Sequence, residues 1–528
     1  MKSFNPQGID DACKEAGLSA GTVKLHAKRI FQDVTSSVPG GFTVIDACRI
    51  NNAGIVPCLD TNFKSANRPL EYVALVPAAG AASRFLEPFT GLVAALKSGD
   101  RQAILDQALA FRDISAAWPL PRLVRDFISE VCNARDAGSE GSWSRIIELL
   151  ERPKALFPFS LRFQSDFTFL AAKLSEHAAL AAQGEKIAGE VYVSAPGFKP
   201  AFEETISNGA RRLPTLVLEQ GGRLSTLRFG ANGQVLRDAE GRPAVVPAGH
   251  GALLELFSAI RERFPGCDYL LIRNVDNVCG IDSQVIGAIS AFTTTAAALI
   301  GAVRDIRAWL SRETNLPPAG ATLPESLVAP VRVLSHFTSR NDMSAATNVD
   351  FAATLLRIQR DLFHSPGAVE TGRVEDRKKL HELLRHLYDR PVNVLGQVPN
   401  SGKDVGGTPA FVRRPDGVQE KLCIEVGHVP AEEVESILKN PRRATHFNPV
   451  FVAAELPGGT TPPVSADHPY WSVVRKRFAG QDAYYHESFL YEILGSSSLA
   501  NVVFVEIPRL LFNPHKTLAD KAEHPVVF

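Results

Sequence analysis

At LVPAAGAASRF, Leu75 to Phe85, an apolar run of strand length gives way to a glycine-containing turn and then to helical spacing. The alternation returns at GEVYVS, Gly189 to Ser194, which precedes a helical Ala201 to Asn208. A strand that must be followed by a helix before the next strand can begin cannot close a tight hairpin. It needs a crossover, and crossovers give parallel strands covered on both faces. The spacing therefore predicts an α/β fold around a mixed, mostly parallel, doubly wound sheet. Further strands are read at Tyr72–Val76, Thr215–Leu218, Tyr269–Ile272, Val392–Gly396, Ala410–Arg413 and Glu420–Val426.

The pattern divides the chain into five segments. Residues 1–68 read as an N-terminal helical cap, with helices over Ile9–Ala16 and Ala20–Gln32, and residues 69–280 as an α/β core. Residues 281–389 read as a helical insertion, broken by an exposed linker at Leu316–Ala321. The core resumes over 390–464, where Leu456–Pro463 is a loop, and 465–528 is a small terminal α+β region. Glycine-rich Arg228–Arg242 reads as hairpins. A chain of 528 residues has room for roughly three lobes.

Charge narrows the partners. Lys plus Arg and Asp plus Glu both number 57, so there is no overall basic field to hold a nucleic-acid backbone or an anionic membrane. Any phosphate chemistry needs a local cluster. The 7 cysteines make an odd number with no CxxC pair, as expected of reduced core thiols in a cytoplasmic protein. The N-terminus carries acids where a signal peptide needs an apolar stretch. Val285–Val303, alanine-rich and interrupted by Ser290 and Thr293–Thr295, reads as a buried helix and not a membrane span.

Four stretches carry candidate chemistry. In the first, Ala78, Ala79, Gly80, Ala81 and Ser83 form a turn of small residues at a helix start. Such a turn can set backbone N–H groups against a phosphate, with Arg84 adding a fixed charge. A simple packed turn is the competing explanation. Lys154, between Pro153 and Pro158, could neutralise a phosphoryl group or be an ordinary solvated lysine. In PAGHGALL, Gly249 and Gly251 flank His250, and two bare neighbours point to ligand approach more than to packing. Asp276 in NVDNVCG follows the Tyr269–Ile272 run, at the strand end where α/β sheets bind ligands. It could hold Mg²⁺, which takes one or two carboxylates and completes its octahedron with phosphates and water, or it could close an Asx-turn.

The series PAGHGALL, NVDNVCG, KDVGGTP (403–409), LCIEVGHVP (422–430) and HFNPV (446–450) resembles the UTP-dependent sugar-1-phosphate uridylyltransferases, the UDP-sugar pyrophosphorylases. Over nearly the whole chain, with PKALFPF, RPVNVLGQV and FNPHKT added, it resembles more closely a bacterial domain-of-unknown-function family numbered 4301. The resemblance implies a GT-A-like, Rossmann-related nucleotidyltransferase core. It implies that Ala78 to Arg84 cradle nucleotide phosphates, that Gly249 to Gly251 meet the base and sugar, and that Asp276 holds the metal. It also implies that Gly406, Gly407 and Glu425 face a sugar phosphate, with His446, Phe447 and Asn448 continuing that wall. Where the pyrophosphorylases carry a lysine before the paired glycines, this chain has Val405, and Lys403 stands nearby.

The function expected is transfer of a nucleotidyl group from an NTP, with UTP favoured, to a sugar 1-phosphate or a similar phosphorylated small molecule. Pyrophosphate is released, with Arg84, Lys154 and Lys403 as catalytic cations. Two alternatives stay open: a nucleotide-binding protein on the same fold without catalysis, which Val405 and the alanine-rich first turn favour, and a transferase acting on a non-sugar phosphate or phosphonate.

Overall fold

Tyr72–Pro77, the run ahead of the first turn, is a strand whose first five residues are buried, as a strand covered on both faces should be. The computed structural model describes residues 6–35, 41–59, 69–80, 86–115, 121–158, 167–209, 213–318, 321–338, 350–369, 376–401, 407–456, 468–514 and 517. It divides into two units, one of residues 1–73, 221–272 and 289–509, the other of 74–220, 273–288 and 510–528.

In the smaller unit the strands run in the order Tyr72–Pro77, Ile187–Ser194, Thr215–Glu219, the last two parallel from Glu190↔Thr215 to Ser194↔Glu219. Val76, Ala78, Tyr192 and Val217 share one apolar core with helices Thr90–Ser98, Arg122–Ala134, Glu140–Leu150 and Phe169–Ala182. Ser139 and Thr168 start two of these helices by accepting the N–H groups of Ser142 and Ala171. The helix start expected directly after Gly80 falls on 81–85, outside the described residues; helical structure is clear from the short turn Glu87–Phe89 onward.

The larger unit orders its strands Val56–Pro57, Asn501–Glu506, Val392–Pro399, Phe451–Glu455, Tyr269–Arg273. Asn501–Glu506 is parallel to both neighbours, whereas Phe451–Glu455 runs antiparallel to Val392–Pro399. The fold is α/β with a mixed, mostly parallel sheet. One difference from the sequence reading is plain. Within the region read as terminal, Asn501–Glu506 is an interior sheet strand, buried over its first five residues. Nothing local distinguishes such a strand from one in a small appended sheet.

A second, antiparallel sheet orders Thr43–Ala47, Thr408–Arg413 and Gln419–Ile424. The N-terminal helices Pro6–Ala16 and Ala20–Thr35 pack Ile9, Val23, Ala27 and Ile30 onto Leu227 and Phe229. Ser225–Leu227 and Val245–Pro247 pair antiparallel around the glycine-rich stretch. Among the described residues one helix, Ser283–Arg312, is long and apolar enough to cross a membrane, and 67% of its most apolar window is buried in the protein. Arg304 and Arg307 on that helix bind the buried Glu455 at 2.8 and 2.9 Å. Both arginines hold the Glu455 carboxyl below its usual range against the opposing effect of burial. Leu316, the head of the expected exposed linker, is buried, and 319–320 lie outside the described residues.

Candidate active site

In the smaller unit three of the sequence candidates meet on one residue. Lys154 opens the short helical turn Lys154–Leu156; its backbone N–H donates to the Gly80 carbonyl at 3.4 Å and its ammonium reaches Asp276 Oδ2 at 3.1 Å. The lysine side chain is 9% exposed and the aspartate 26%, so Lys154 is not an ordinary solvated lysine. Its ammonium also lies 5.3 Å from the Phe169 ring centroid, and the apolar residues around it explain its burial. Ala78 donates its N–H to Val193, which ties the small-residue turn to the neighbouring strand. Ala81, Ser83 and Arg84 lie outside the described residues.

Asp276 sits three residues beyond Arg273, the last residue of its strand. The asparagine beside it does the structural work that an Asx residue could do. Asn277 accepts the Asn513 N–H at 2.7 Å and donates to the Leu511 carbonyl at 2.8 Å, while Val278 and Asn513 exchange two more hydrogen bonds. This leaves the Asp276 carboxylate to the Lys154 side. The FNPH stretch is thereby explained: Asn513 anchors the turn that carries Asp276.

Beneath the turn lies a buried group that motif reasoning missed. Lys173 donates to the Asn277 carbonyl at 2.7 Å, and Glu176 pairs with Lys173 at 3.6 Å and with Arg273. All three are at most 2% exposed. Burial, and then the positive charge of Arg273, push the Lys173 pKa down. Burial alone would raise Glu176, but Arg273 and Lys173 outweigh it and the net shift is downward. A signal was present in the sequence. Lys173, Glu176 and His177 share the face of Phe169, Leu170 and Leu180, and charged groups on the apolar stripe of a helix call for buried partners.

In the larger unit a second cluster forms around Tyr491. Thr408 pairs with Ile424, and this register sets Gly407 and Glu425 at the same end of a hairpin. The Tyr491 hydroxyl donates to Glu425, and its ring centroid lies 5.2 Å from that of His250. Burial, and then the neighbouring Glu492, raise the Glu425 pKa. Glu492 also accepts from His428 at 2.6 Å, and this contact outweighs burial in raising the histidine. Burial lowers His250 to about 4. Because the Leu490 N–H donates to His250 Nδ1 at 2.8 Å, the neutral ring carries its proton on Nε2 as a donor. Tyr491 had no motif to announce it; only the aromatic pair Phe489 and Tyr491 stood in the sequence.

Three sequence candidates have partners inside the protein. A close backbone neighbour accounts for the glycines around His250. A Cβ on Gly249 would stand 2.4 Å from the Ser488 carbonyl oxygen, and one on Gly251 2.5 Å from Ser488 Oγ. They are glycines because the backbone at Ser488 packs on them. The Asn448 amide is held by the backbone: Nδ2 donates to the Gly396 and Phe451 carbonyls at 2.7 and 3.3 Å, and Oδ1 accepts from the Val450 N–H at 2.9 Å. His446 is likewise committed, to Thr445 at 2.8 Å and Glu506 at 3.4 Å. Lys403, Val405 and Gly406 lie outside the described residues.

The donor set can be tested against magnesium. Among the described residues no group of three or more His, Cys, Asp or Glu is arranged to hold a metal. Asp276 offers a single, partly exposed carboxylate. That fits an ion arriving with phosphates that complete its shell, and not a closed protein cage.

No curated protein matches the chain. Among solved structures it is similar to a variant of UDP-glucose pyrophosphorylase from Leishmania major in complex with UDP-glucose. The identity is 13%, with 98% of this chain and 78% of that chain covered, and the TM-score is 0.47. It is also similar to UDP-glucose phosphorylase from Trypanosoma brucei, at 12% identity over 97% of this chain and 77% of that chain, with a TM-score of 0.45. The family whose model the chain matches, over residues 344–524, is described as a domain of unknown function, DUF4301.

Proposed function

We propose that the protein is a nucleotidyltransferase that joins an NTP, with UTP favoured, to a phosphorylated small molecule such as a sugar 1-phosphate. The observation that carries this reading is Lys154, whose backbone holds the Gly80 turn and whose ammonium holds Asp276. A glycine turn after a buried strand, a cation and a hard carboxylate are the parts that phosphoryl chemistry asks for.

In the reaction an acceptor phosphate oxygen bonds to the α-phosphorus of the NTP, and the bond from that phosphorus to the bridging oxygen of the β-phosphate breaks. Pyrophosphate leaves with the electron pair. The acceptor is already ionised at neutral pH, so no general base is needed, and the work of the protein is alignment and charge neutralisation. Lys154 follows the charge as it moves onto the leaving group. Asp276 would hold Mg²⁺, which supplies Lewis-acid neutralisation of the phosphates when bound. In the larger unit, taken by itself, the His250 Nε2–H and the Glu425 carboxyl suit the hydroxyls of an uncharged ligand.

The test is a pyrophosphate-release screen that crosses four NTPs with a panel of sugar phosphates and other phosphorylated acceptors in Mg²⁺. Turnover with at least one pair, lost about a hundredfold in Asp276→Ala, supports the reading. Turnover that survives Asp276→Ala within a few-fold removes Asp276 from it. The second reading, nucleotide binding without catalysis, draws on the internal commitment of Asn448 and His446. Calorimetric binding of UTP or a UDP-sugar, with no pyrophosphate exchange for any acceptor, selects it.

A further inference from the structure

The geometry points to Lys173 as a positioning residue for Asp276, acting from beneath the turn; this rests on the reading of Asp276 as the metal-side carboxylate. The helix Phe169–Ala182 grips the turn on both sides. On the far side Lys173 donates to the Asn277 carbonyl at 2.7 Å, and on the near side Glu176 holds Arg273. One carboxylate on the helix thus ties together the residue that enters the turn and the lysine that fixes its exit.

The charges make the arrangement more than a packing device. Lys154, Lys173 and Arg273 face two carboxylates, Glu176 and Asp276. Two of the cations are at most 2% exposed, where water does little to screen them. The bond from Lys173 to the Asn277 carbonyl holds the turn, and the excess positive charge favours an ion that arrives with phosphates. Lys173 spends one bond on the turn and its charge on Glu176, while Asn277 and Asn513 close the turn from the opposite side.

The experiment compares wild type, Lys173→Gln, Lys173→Arg, Asp276→Asn and the Lys173→Gln/Asp276→Asn double variant by two measurements. Hydrogen exchange over 274–278 reports the turn, and manganese relaxation in the presence of UTP reports the site. Lys173→Gln is expected to speed exchange at the turn and to weaken Mn²⁺·UTP binding by about tenfold, leaving exchange in the Val392–Pro399 strand unchanged. Lys173→Arg is expected to restore both measurements. In the Asp276→Asn background the Lys173→Gln change should be worth less than about twofold, because coupled residues do not add. Exchange and affinity both within about twofold of wild type in Lys173→Gln would overturn the inference. If Asp276→Asn alone binds Mn²⁺·UTP like wild type, the metal reading fails. The role of Lys173 is then decided by the turn, where unchanged exchange refutes it and faster exchange upholds it. If Lys173→Gln does not fold, Glu176→Gln, which removes the shared carboxylate, gives the same two measurements with the same deciding outcomes.

Discussion

The glycines beside His250 allow a sharp test of packing against ligand approach. Gly249 has φ +83°, and a Cβ there would also stand 2.7 Å from Glu487 Cγ and 2.8 Å from the Ser488 N. For alanine a backbone at φ +83°, ψ 170°, which essentially only glycine adopts, costs about 1–3 kcal/mol. Forcing a methyl against a backbone carbonyl adds about 1–3 kcal/mol as overpacking. Gly249→Ala should therefore lose about 2–6 kcal/mol of stability. Moving Ser488 would also pull the Leu490 N–H away from His250 Nδ1, a bond of 2.8 Å, so the imidazole orientation goes with it. Gly251→Ala should behave similarly without the φ term. Ser488→Ala should not rescue it, since the Ser488 carbonyl carbon itself would be 2.8 Å from the new methyl. Urea unfolding followed by tryptophan fluorescence measures the loss. A Gly249→Ala protein with an unchanged midpoint but abolished UTP binding would refute the packing argument and return the glycines to the ligand.

Asn448→Ala should cost about 2–4 kcal/mol in urea unfolding, because three backbone partners lose their bonds to a side chain that is 4% exposed; any binding of UTP should stay within a few-fold, and a selective loss of binding would restore Asn448 to the site. Stability should also fall in acid. His26, His250 and His468 are lowered from 6.5 to about 3, 4 and 4, chiefly by burial, so between pH 6.5 and 4 the unfolded chain binds more protons than the native one. The stabilisation is present above pH 6.5 and is lost on acidification at about 1.4 kcal/mol per pH unit for each histidine. His250→Gln should reduce that slope by one proton in urea midpoints measured across pH; an unchanged slope would place the titration elsewhere. Burial also raises the thiol of Cys279 to about 11 and that of Cys267 to about 12, so a thiol reagent at pH 8 should label these two at the rate of unfolding; rapid labelling of either in the native protein would contradict their burial.

The structure brings the candidates at the phosphate turn together and gives the glycine loop a packing partner, and only the first was legible in the chain. Gly80, Lys154 and Asp276 each sit beside a run whose apolar spacing is visible in the chain, and the ends of buried strands are where such groups gather. The glycines at 249 and 251 were equally visible, but their partner Ser488 lies 239 and 237 residues further along the chain. Bare space for a ligand and bare space for a neighbouring backbone look the same in one dimension. The small residues at 81–85 and the lysine at 403 lie outside the described residues, so those expectations stand as they were.

By itself the sequence determined the local elements: the buried strand Tyr72–Pro77, the all-buried run Tyr269–Arg273 and the core helix Ser283–Arg312. Each is set by periodicity and burial over a few residues, which the neighbours in the chain are enough to dictate. Tertiary structure decided which polar groups are committed and which are left over. It brought Lys173 to a carbonyl 104 residues away, closed Asn448 on the backbone, and made Asn277 the anchor of the turn while leaving Asp276 beside Lys154. A buried donor must find an acceptor wherever folding places one, and that choice depends on contacts between distant segments that no local pattern records.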